Sequence, residues 1–480
     1  VSESGDRLRR IVRSLPLVLS ILFVLAVYAF FAGDGRFDFR RLGSWQESNY
    51  ASLAQGFFQG QLNLEKWVNP KLDALPYPYD PKARQGIHYE WDASYLNGKY
   101  YLYSSPLPAI LGYMPLRILR RGYPPDSFVA LFFTAWAFLA SIAFTRRALA
   151  GRTFNIPFPL WVLFIGLGNV IMFVLVVVHM YEIAILCGMA MTAMWARALL
   201  RYNESPTPGR AAWMSIWLAL SIAARPNLGV LLPVAAFAMK WTRKTVIAVL
   251  APLAIVAIAM LWYNAARFGN PLEFGIRYQL THVDMADQKV CSLCTFPELG
   301  RLGNNVQHYV FAPLHIHSKF PFIDANPARL DRAVAWPTPN GVTEQIVGIA
   351  PIAPLLLLGT LIAALIALMR GPKDPVTRTA LQVMCGAWLI LLGLSTCWWI
   401  VARYSLDFMM LMSVASVVCI ETIVTSLRTT TIRIAPLRAI IAALACYSIL
   451  IAILLGFSGG GDGFKRTNPV MFERLSGWFK

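Results

Sequence analysis

Charge is scarce in this 480-residue chain: Asp, Glu, Lys and Arg make up 14%, against about 25% in a soluble globular protein. Apolar residues make up 57%, so a water-soluble fold would be left with too little polar surface. The same numbers exclude disordered and disulfide-stapled secreted classes. Nucleotide machinery is also missing. There is no Gly-x-x-x-x-Gly-Lys loop and no His-Glu-x-x-His pair. Heptads, low-complexity tracts and obvious repeats are absent as well. What the chain does have is a succession of long apolar runs, such as 17–32 and 349–369. It reads as an all-α polytopic membrane protein.

The net charge of +18 does not imply nucleic acid, because the basic residues form short clusters between apolar runs. The positive-inside rule assigns such clusters to the cytoplasm. Arg7, Arg9, Arg10 and Arg13 precede the first run, 12–32, and set the N-terminus inside. No clean cleavage site precedes Gly33, so this run is read as an uncleaved helix rather than a signal peptide. Further spans are expected at 127–145, 158–178 and 182–200. The run 211–239 is broken at Arg225-Pro226-Asn227, since a residue before proline disfavours helix. Two short helices meeting outside return Lys240, Arg243 and Lys244 to the cytoplasm. Later spans fall at 245–263, 346–369, 379–397, 406–427 and 437–457, about eleven in all, with the C-terminus outside. In this arrangement the cytoplasmic side carries 19 basic residues against four acidic ones. The run 106–119 is too short to span and suits an interfacial helix.

Two large extracytoplasmic loops follow, 33–103 with its interfacial helix and 264–345, and the tail from Ser458 adds a third outer piece. Loops of this length are usually functional. Five of the seven cysteines lie in or beside spans; Cys291 and Cys294 form a Cys-x-x-Cys in the second loop. In an oxidising compartment a disulfide is the favoured reading. A zinc site with His315 and His317, or a redox pair, are the weaker options.

Polar chemistry gathers on the outer side. Residues 45–56 read as an amphipathic helix, with apolar side chains at 50, 53, 54, 57 and 58 and Glu47 in its first turn. A glutamate there also serves simply to complement the helix dipole. Tyr77-Pro78-Tyr79-Asp80 and the stretch 89–101, including Asp92 and Asn97-Gly98, interleave aromatics with acids and amides. That mixture suits sugar binding and a membrane-interface belt equally. At the outer ends of spans stand His179, Tyr181, Glu182, Arg225, Asn227, Asn264, Arg267, Arg403, Tyr404 and Asp407. Ionisable groups at membrane depth point to function, and a rim of arginines suits a lipid phosphate. The bland alternative is snorkelling, or local pairing such as Arg403 with Asp407 at helical spacing. Glu421, inside a late span, reads as a packing or proton-related residue.

At this point the sequence resembles the GT-C membrane glycosyltransferases, which use polyprenyl-phosphate-linked sugars. Gln46-Glu47-x-x-Tyr50 is similar to the family's acidic-acidic-x-x-Tyr loop start, with glutamine in the first acidic place. The helix at 106–119 resembles its proline-led juxtamembrane helix. The paired hairpin at Arg225-Pro226 resembles part of its shared module, and Arg403-Tyr404-x-x-Asp407 the arginine-bearing start of a late span. The resemblance covers residues 10–265 well and the remainder loosely. It implies a GT-C-like bundle in three parts: a transmembrane module at 1–265, whose first outer loop, 33–121, carries the catalytic region; the second outer loop at 266–345; and C-terminal transmembrane helices at 346–457, followed by the tail at 458–480.

The implied activity is an inverting transfer of a sugar from a polyprenyl-phosphate donor to a glycan, lipid or protein acceptor, outside a multi-pass inner-membrane protein. Glu47 is the leading candidate base and Asp92 its strongest rival, ahead of Asp34, Asp38 and Asp80. Arg225, Arg403, His179 and Arg267 are expected on the donor phosphate and lipid. Tyr50, Asp80, Glu182, Asn264 and Tyr404 are expected on substrate. Membrane lipids are partners and nucleic acid is not. Some GT-C enzymes use a divalent metal; no dense carboxylate cluster here demands one, so no metal ligand is assigned. Rival classes are a lipid-linked saccharide flippase, which would place polar residues through the midplane, another envelope-modifying transferase, and a scaffold.

Overall fold

The computed structural model describes residues 2–37, 39, 45–120, 122–327, 345–370, 374–428 and 434–479. Among them, seven helices are long and apolar enough to cross a membrane: Leu15–Ala32, Asp126–Ala148, Met180–Glu204, Arg243–Phe268, Pro375–Ser395, Ala402–Leu427 and Ala435–Thr467. The other four expected crossings are shorter or interrupted, each for a local reason. Phe158–Leu167 stops at Gly168, and Asn169 Oδ1 accepts the Ile171 N–H at 2.9 Å to start Ile171–Leu175. Pro208–Ala224 ends where Arg225 turns extended before Pro226, and Pro226–Leu231 and Leu232–Ala238 follow. Ile349–Ile352 is separated from Pro354–Arg370 by Ala353, extended before its proline. The break at Arg225-Pro226 is where the sequence places it; the interruption at Gly168-Asn169 is not marked in an otherwise apolar run.

The centre of the bundle is Met180–Glu204, whose window is 89% buried, while Arg243–Phe268 lies at the edge with 11% buried.

Outside the bundle, Ser48 caps the short helix Asn49–Phe58, its Oγ accepting the Ala51 N–H at 3.2 Å. Tyr50, Leu53 and Ala54 are buried as the spacing predicts, but Phe58 is exposed and Ala51 and Ser52 are buried as well, so the helix is enclosed on more than one face. Glu47 differs from expectation. It lies in a separate tight turn, Trp45–Glu47, ahead of the cap rather than in the helix's first turn. The interfacial segment is helical over Ala109–Tyr113 and Met114–Arg120, the first part widened by a π turn. Its inner side buries Ala109 and Tyr113, while Ile118 and Leu119 are exposed.

Asn97-Gly98 makes the expected hairpin turn. Both have positive φ, 51° and 70°, and Ser94–Leu96 pairs antiparallel with Lys99–Tyr101. The two long loops are tied together beside it. Ser94 bridges to Gln279, the Leu280 N–H donates to Ala93 O at 3.0 Å, and the Asp92 N–H to Leu280 O at 3.1 Å. The tail closes on the start of the first loop: Thr467 Oγ1 donates to Asp34 Oδ1 at 2.9 Å and Asn468 Nδ2 to Asp34 O at 2.6 Å.

Candidate functional site

Asp92 sits where the two loops cross. Its φ of +59° is left-handed, a conformation asparagine and aspartate tolerate better than most side chains. The backbone tie to Leu280 fixes it there, and the residue is buried. Its Oδ2 accepts from the hydroxyls of Tyr181 and, at 3.4 Å, Tyr103, and its Oδ1 accepts from Gln279 Nε2 at 3.1 Å. Burial pushes the carboxyl up from 3.8 to about 6, against the opposing pull of the two tyrosines and the positive charge of Arg403. The result is a carboxylate that ionises near neutrality.

Tyr181 and Glu182 project from the start of the central helix Met180–Glu204, where Glu182 Oε2 accepts the His179 N–H at 2.9 Å in a capping box. Arg403 comes from the tight turn Ala402–Ser405. Its guanidinium lies 5.1 Å from the Tyr181 ring centre, 5.7 Å from that of Tyr404, and 3.6 Å from Glu182 Oε1. The chain of contact therefore runs Asp92, Tyr181, Arg403, Glu182. Arg403, Glu182 and His179 then line an open cavity of about 480 Å³, together with Phe173, Val174, Val177, Gln345, Val401, Arg466 and the backbone of Gly460-Gly461. Its lining combines two guanidinium groups, the Glu182 carboxylate and several apolar side chains.

The remaining expected residues have other surroundings. Arg225 Nε donates to Asp407 Oδ2 at 2.9 Å, joined by Asn227 Nδ2 at 3.0 Å, with Asp407 fully buried. The local Arg403–Asp407 pairing that the spacing allowed is thus replaced by a long-range one. Arg267 donates to Leu102 O at 2.6 Å and to Asn264 Oδ1 at 2.8 Å, and its guanidinium stacks 3.8 Å from the Tyr263 ring centre. Tyr50 is buried, its hydroxyl 2.9 Å from Ser104 Oγ and its ring stacked on Tyr113. Asp80 Oδ1 accepts the Lys82 N–H at 2.9 Å within its own turn. Glu47 is exposed at the front of the loop. Cys291 lies on the helix Gln288–Thr295 as a free thiol, its Sγ 3.8 Å from Thr295 Oγ1, so the expected disulfide is not formed; the side chain of Cys294 is outside the described residues, as is Asp38. Glu421 is structural: Asn155 N, Asn155 Nδ2, Ile156 N and Trp161 Nε1 all donate to it at 2.8–3.0 Å.

Sequence reasoning did not single out Tyr103, Gln279, Asp126 or Arg466. Asp126 opens a span, where an acid is unremarkable, yet Tyr113 Oη donates to its Oδ1 at 2.5 Å. Gln279 carries no local signal at all.

No family model matches the chain, and no curated protein matches it. Among solved structures, it overlays on the archaeal oligosaccharyltransferase AglB from Archaeoglobus fulgidus, solved in complex with an inhibitory peptide and a dolichol-phosphate. The TM-score is 0.45 at 11% identity, covering 98% of this chain and 60% of AglB. The chain therefore spans about three fifths of that protein's length.

Proposed function

We propose that this chain is a GT-C type glycosyltransferase that moves a sugar from a polyprenyl-phosphate donor to a glycan, lipid or protein acceptor on the outer face of the inner membrane. The observation that carries the reading is Asp92: a buried carboxyl raised to about 6 and under the electrostatic influence of Arg403, which lines a cavity of mixed charged and apolar side chains. A base is most effective when its pKa lies near the working pH. Asp92 takes the proton of the acceptor hydroxyl as that oxygen attacks the anomeric carbon. The bond from the anomeric carbon to the phosphate oxygen breaks, and its electron pair leaves on the polyprenyl phosphate. Arg403 stabilises the charge that develops there. Attack opposite the leaving phosphate inverts the anomeric centre.

Asp92 is preferred to Glu47 as the base because it is buried beside Arg403, whereas Glu47 is exposed ahead of its helix. Of the expected donor contacts, Arg403 and His179 line the cavity, while Arg225 and Arg267 are held by internal partners. The positive-inside arrangement of Lys and Arg supports a cytoplasmic N-terminus and an outer site.

Detergent-solubilised membranes containing the chain, given a panel of polyprenyl-phosphate sugars, should release free polyprenyl phosphate. Release should fall at least a hundredfold in D92N, on the scale of about 10²–10⁴ expected for losing a general base. Equal release by D92N and wild type would sink the assignment of Asp92. No release from any donor by the wild type would sink the activity.

A further inference from the structure

The last long helix does not end where the apolar run ends. Ala435–Thr467 is kinked at Gly459–Asp462, and Gly460, Gly461 and Asp462 are left-handed at φ of 60–61° before right-handed helix resumes. Two constraints demand glycine here. A Cβ at Gly459 would come 2.4 Å from Phe173 O, and one at Gly460 2.5 Å from Val177 Cγ2, so the turn is pressed onto the broken third crossing. At Gly461 an added Cβ meets nothing within 4 Å, and there the left-handed backbone alone favours glycine. One turn further on, Arg466 reaches back, its Nη2 donating to Gly460 O at 2.5 Å. The Gly461 N–H meets Gln345 Oε1 at 3.3 Å.

Gly460-Gly461 and the Arg466 side chain therefore line the same cavity as Arg403, His179 and Glu182. Glu182 brings a negative charge into the same space, but it is already engaged by the His179 N–H and lies 3.6 Å from Arg403. Phe173, Val174, Val177 and Val401 add apolar side chains to the lining. We infer that the glycine turn and Arg466 are part of a site for an isoprenoid phosphate, with Arg466 as a second guanidinium on its phosphate. The inference rests on the donor reading above and adds to it a residue from the C-terminal tail. Phosphate chemistry alone would also admit a free phosphate ion. The apolar lining favours a phosphate carried on a hydrocarbon chain, since each methylene removed from water adds to binding.

Binding tests this without any turnover. Farnesyl phosphate, inorganic phosphate and farnesol would be titrated calorimetrically against the full chain in detergent, as wild type, R403A, R466A, R466K and R474A. Arg474 lies exposed on the tail helix Pro469–Gly477 and outside the cavity lining, so R474A controls for net charge. Farnesyl phosphate should bind best. Its affinity should fall about tenfold or more in R403A and R466A, as expected for a charge-assisted hydrogen bond. R466K should recover part of the loss, because it keeps the charge and lacks the fork, and R474A should match wild type. If R466A bound like wild type while R403A weakened, the tail would have no part in the site and the donor reading would stand. Inorganic phosphate binding as tightly as farnesyl phosphate would overturn the lipid assignment. Affinity unchanged in both R403A and R466A would overturn the cavity as an anion site, and with it the donor placement.

Discussion

Replacing Asp92 by asparagine should move stability and catalysis in opposite directions. The carboxyl rises from 3.8 to about 6 because burial outweighs the hydroxyls of Tyr181 and Tyr103 and the charge of Arg403. At about 1.4 kcal/mol per pH unit, that shift costs the folded state about 3 kcal/mol once the group is ionised. The sign follows from the raised value. The favourable contribution is fully present below the unfolded value of 3.8 and is lost as the pH climbs through about 6. Asparagine stays neutral at every pH and still offers one oxygen to the tyrosines. D92N should therefore melt a few degrees higher than wild type at pH 7.5, and the gap should close near pH 4. Turnover should behave the other way: wild-type transfer rises with pH through about 6 as the base ionises, and D92N loses about 10²–10⁴ of it. Thermal melts across pH, read beside polyprenyl-phosphate release, measure both. A D92N protein less stable than wild type at pH 7.5 would refute the argument that burial dominates at this carboxyl. A fully active D92N beside a dead E47Q would move the base to Glu47.

R225A should destabilise the protein by about 3–5 kcal/mol, because it strands a buried carboxylate; D407N in the same chain should recover part of the loss, seen as a rise in melting temperature. E421A removes the acceptor of four N–H donors and should cost about 3 kcal/mol or more, with farnesyl phosphate affinity unchanged in whatever folds. In a cysteine-free background, a single cysteine at Thr242 should be labelled from the cytoplasm and one at Lys465 from outside; residue 242 reached only from outside would overturn the paired short helices. Cys291 is a free thiol in the structure, so protein purified without reductant should be alkylated there; a Cys291 that reacts only after reduction would restore the disulfide expected from the Cys-x-x-Cys spacing.

Much of the fold was legible because a membrane imposes its own length scale on the sequence. Runs of about 20 apolar residues have few alternatives in lipid. The Arg225-Pro226 break was legible because proline acts on its neighbour through local sterics alone. The interruption at Gly168-Asn169 escaped, since a single capping amide in an apolar run leaves the hydropathy unchanged. The site was legible only in its parts. Asp92, Tyr181 and Gln279 stand 89 and 187 positions apart along the chain, and no local pattern joins them. The Arg403–Asp407 spacing was actively misleading. The i,i+4 rule holds on a helix surface, but Arg403 lies in a tight turn before the helix begins. That left Asp407 to Arg225, 182 positions away.

The three arginines Arg225, Arg267 and Arg403 differ in what holds them. A guanidinium near the membrane must be satisfied, and the nature of its partner decides what it has left to offer. Arg225 meets a fully buried carboxylate at 2.9 Å, and removing either partner exposes the other to an uncompensated charge. Arg267 is fixed by a backbone carbonyl, an amide oxygen and an aromatic ring, so its charge is retained but its geometry is committed to holding the first loop against the edge helix. Arg403 stands 3.6 Å from Glu182, a longer separation, with one side toward Tyr181 and Asp92 and another on the cavity. Its electrostatic influence reaches the carboxyl that titrates near neutrality and the space proposed for the leaving phosphate at once. On the proposed mechanism one guanidinium couples the proton acceptor to the leaving phosphate, and the first loop, the central helix and the late span must all be in register for it to do so.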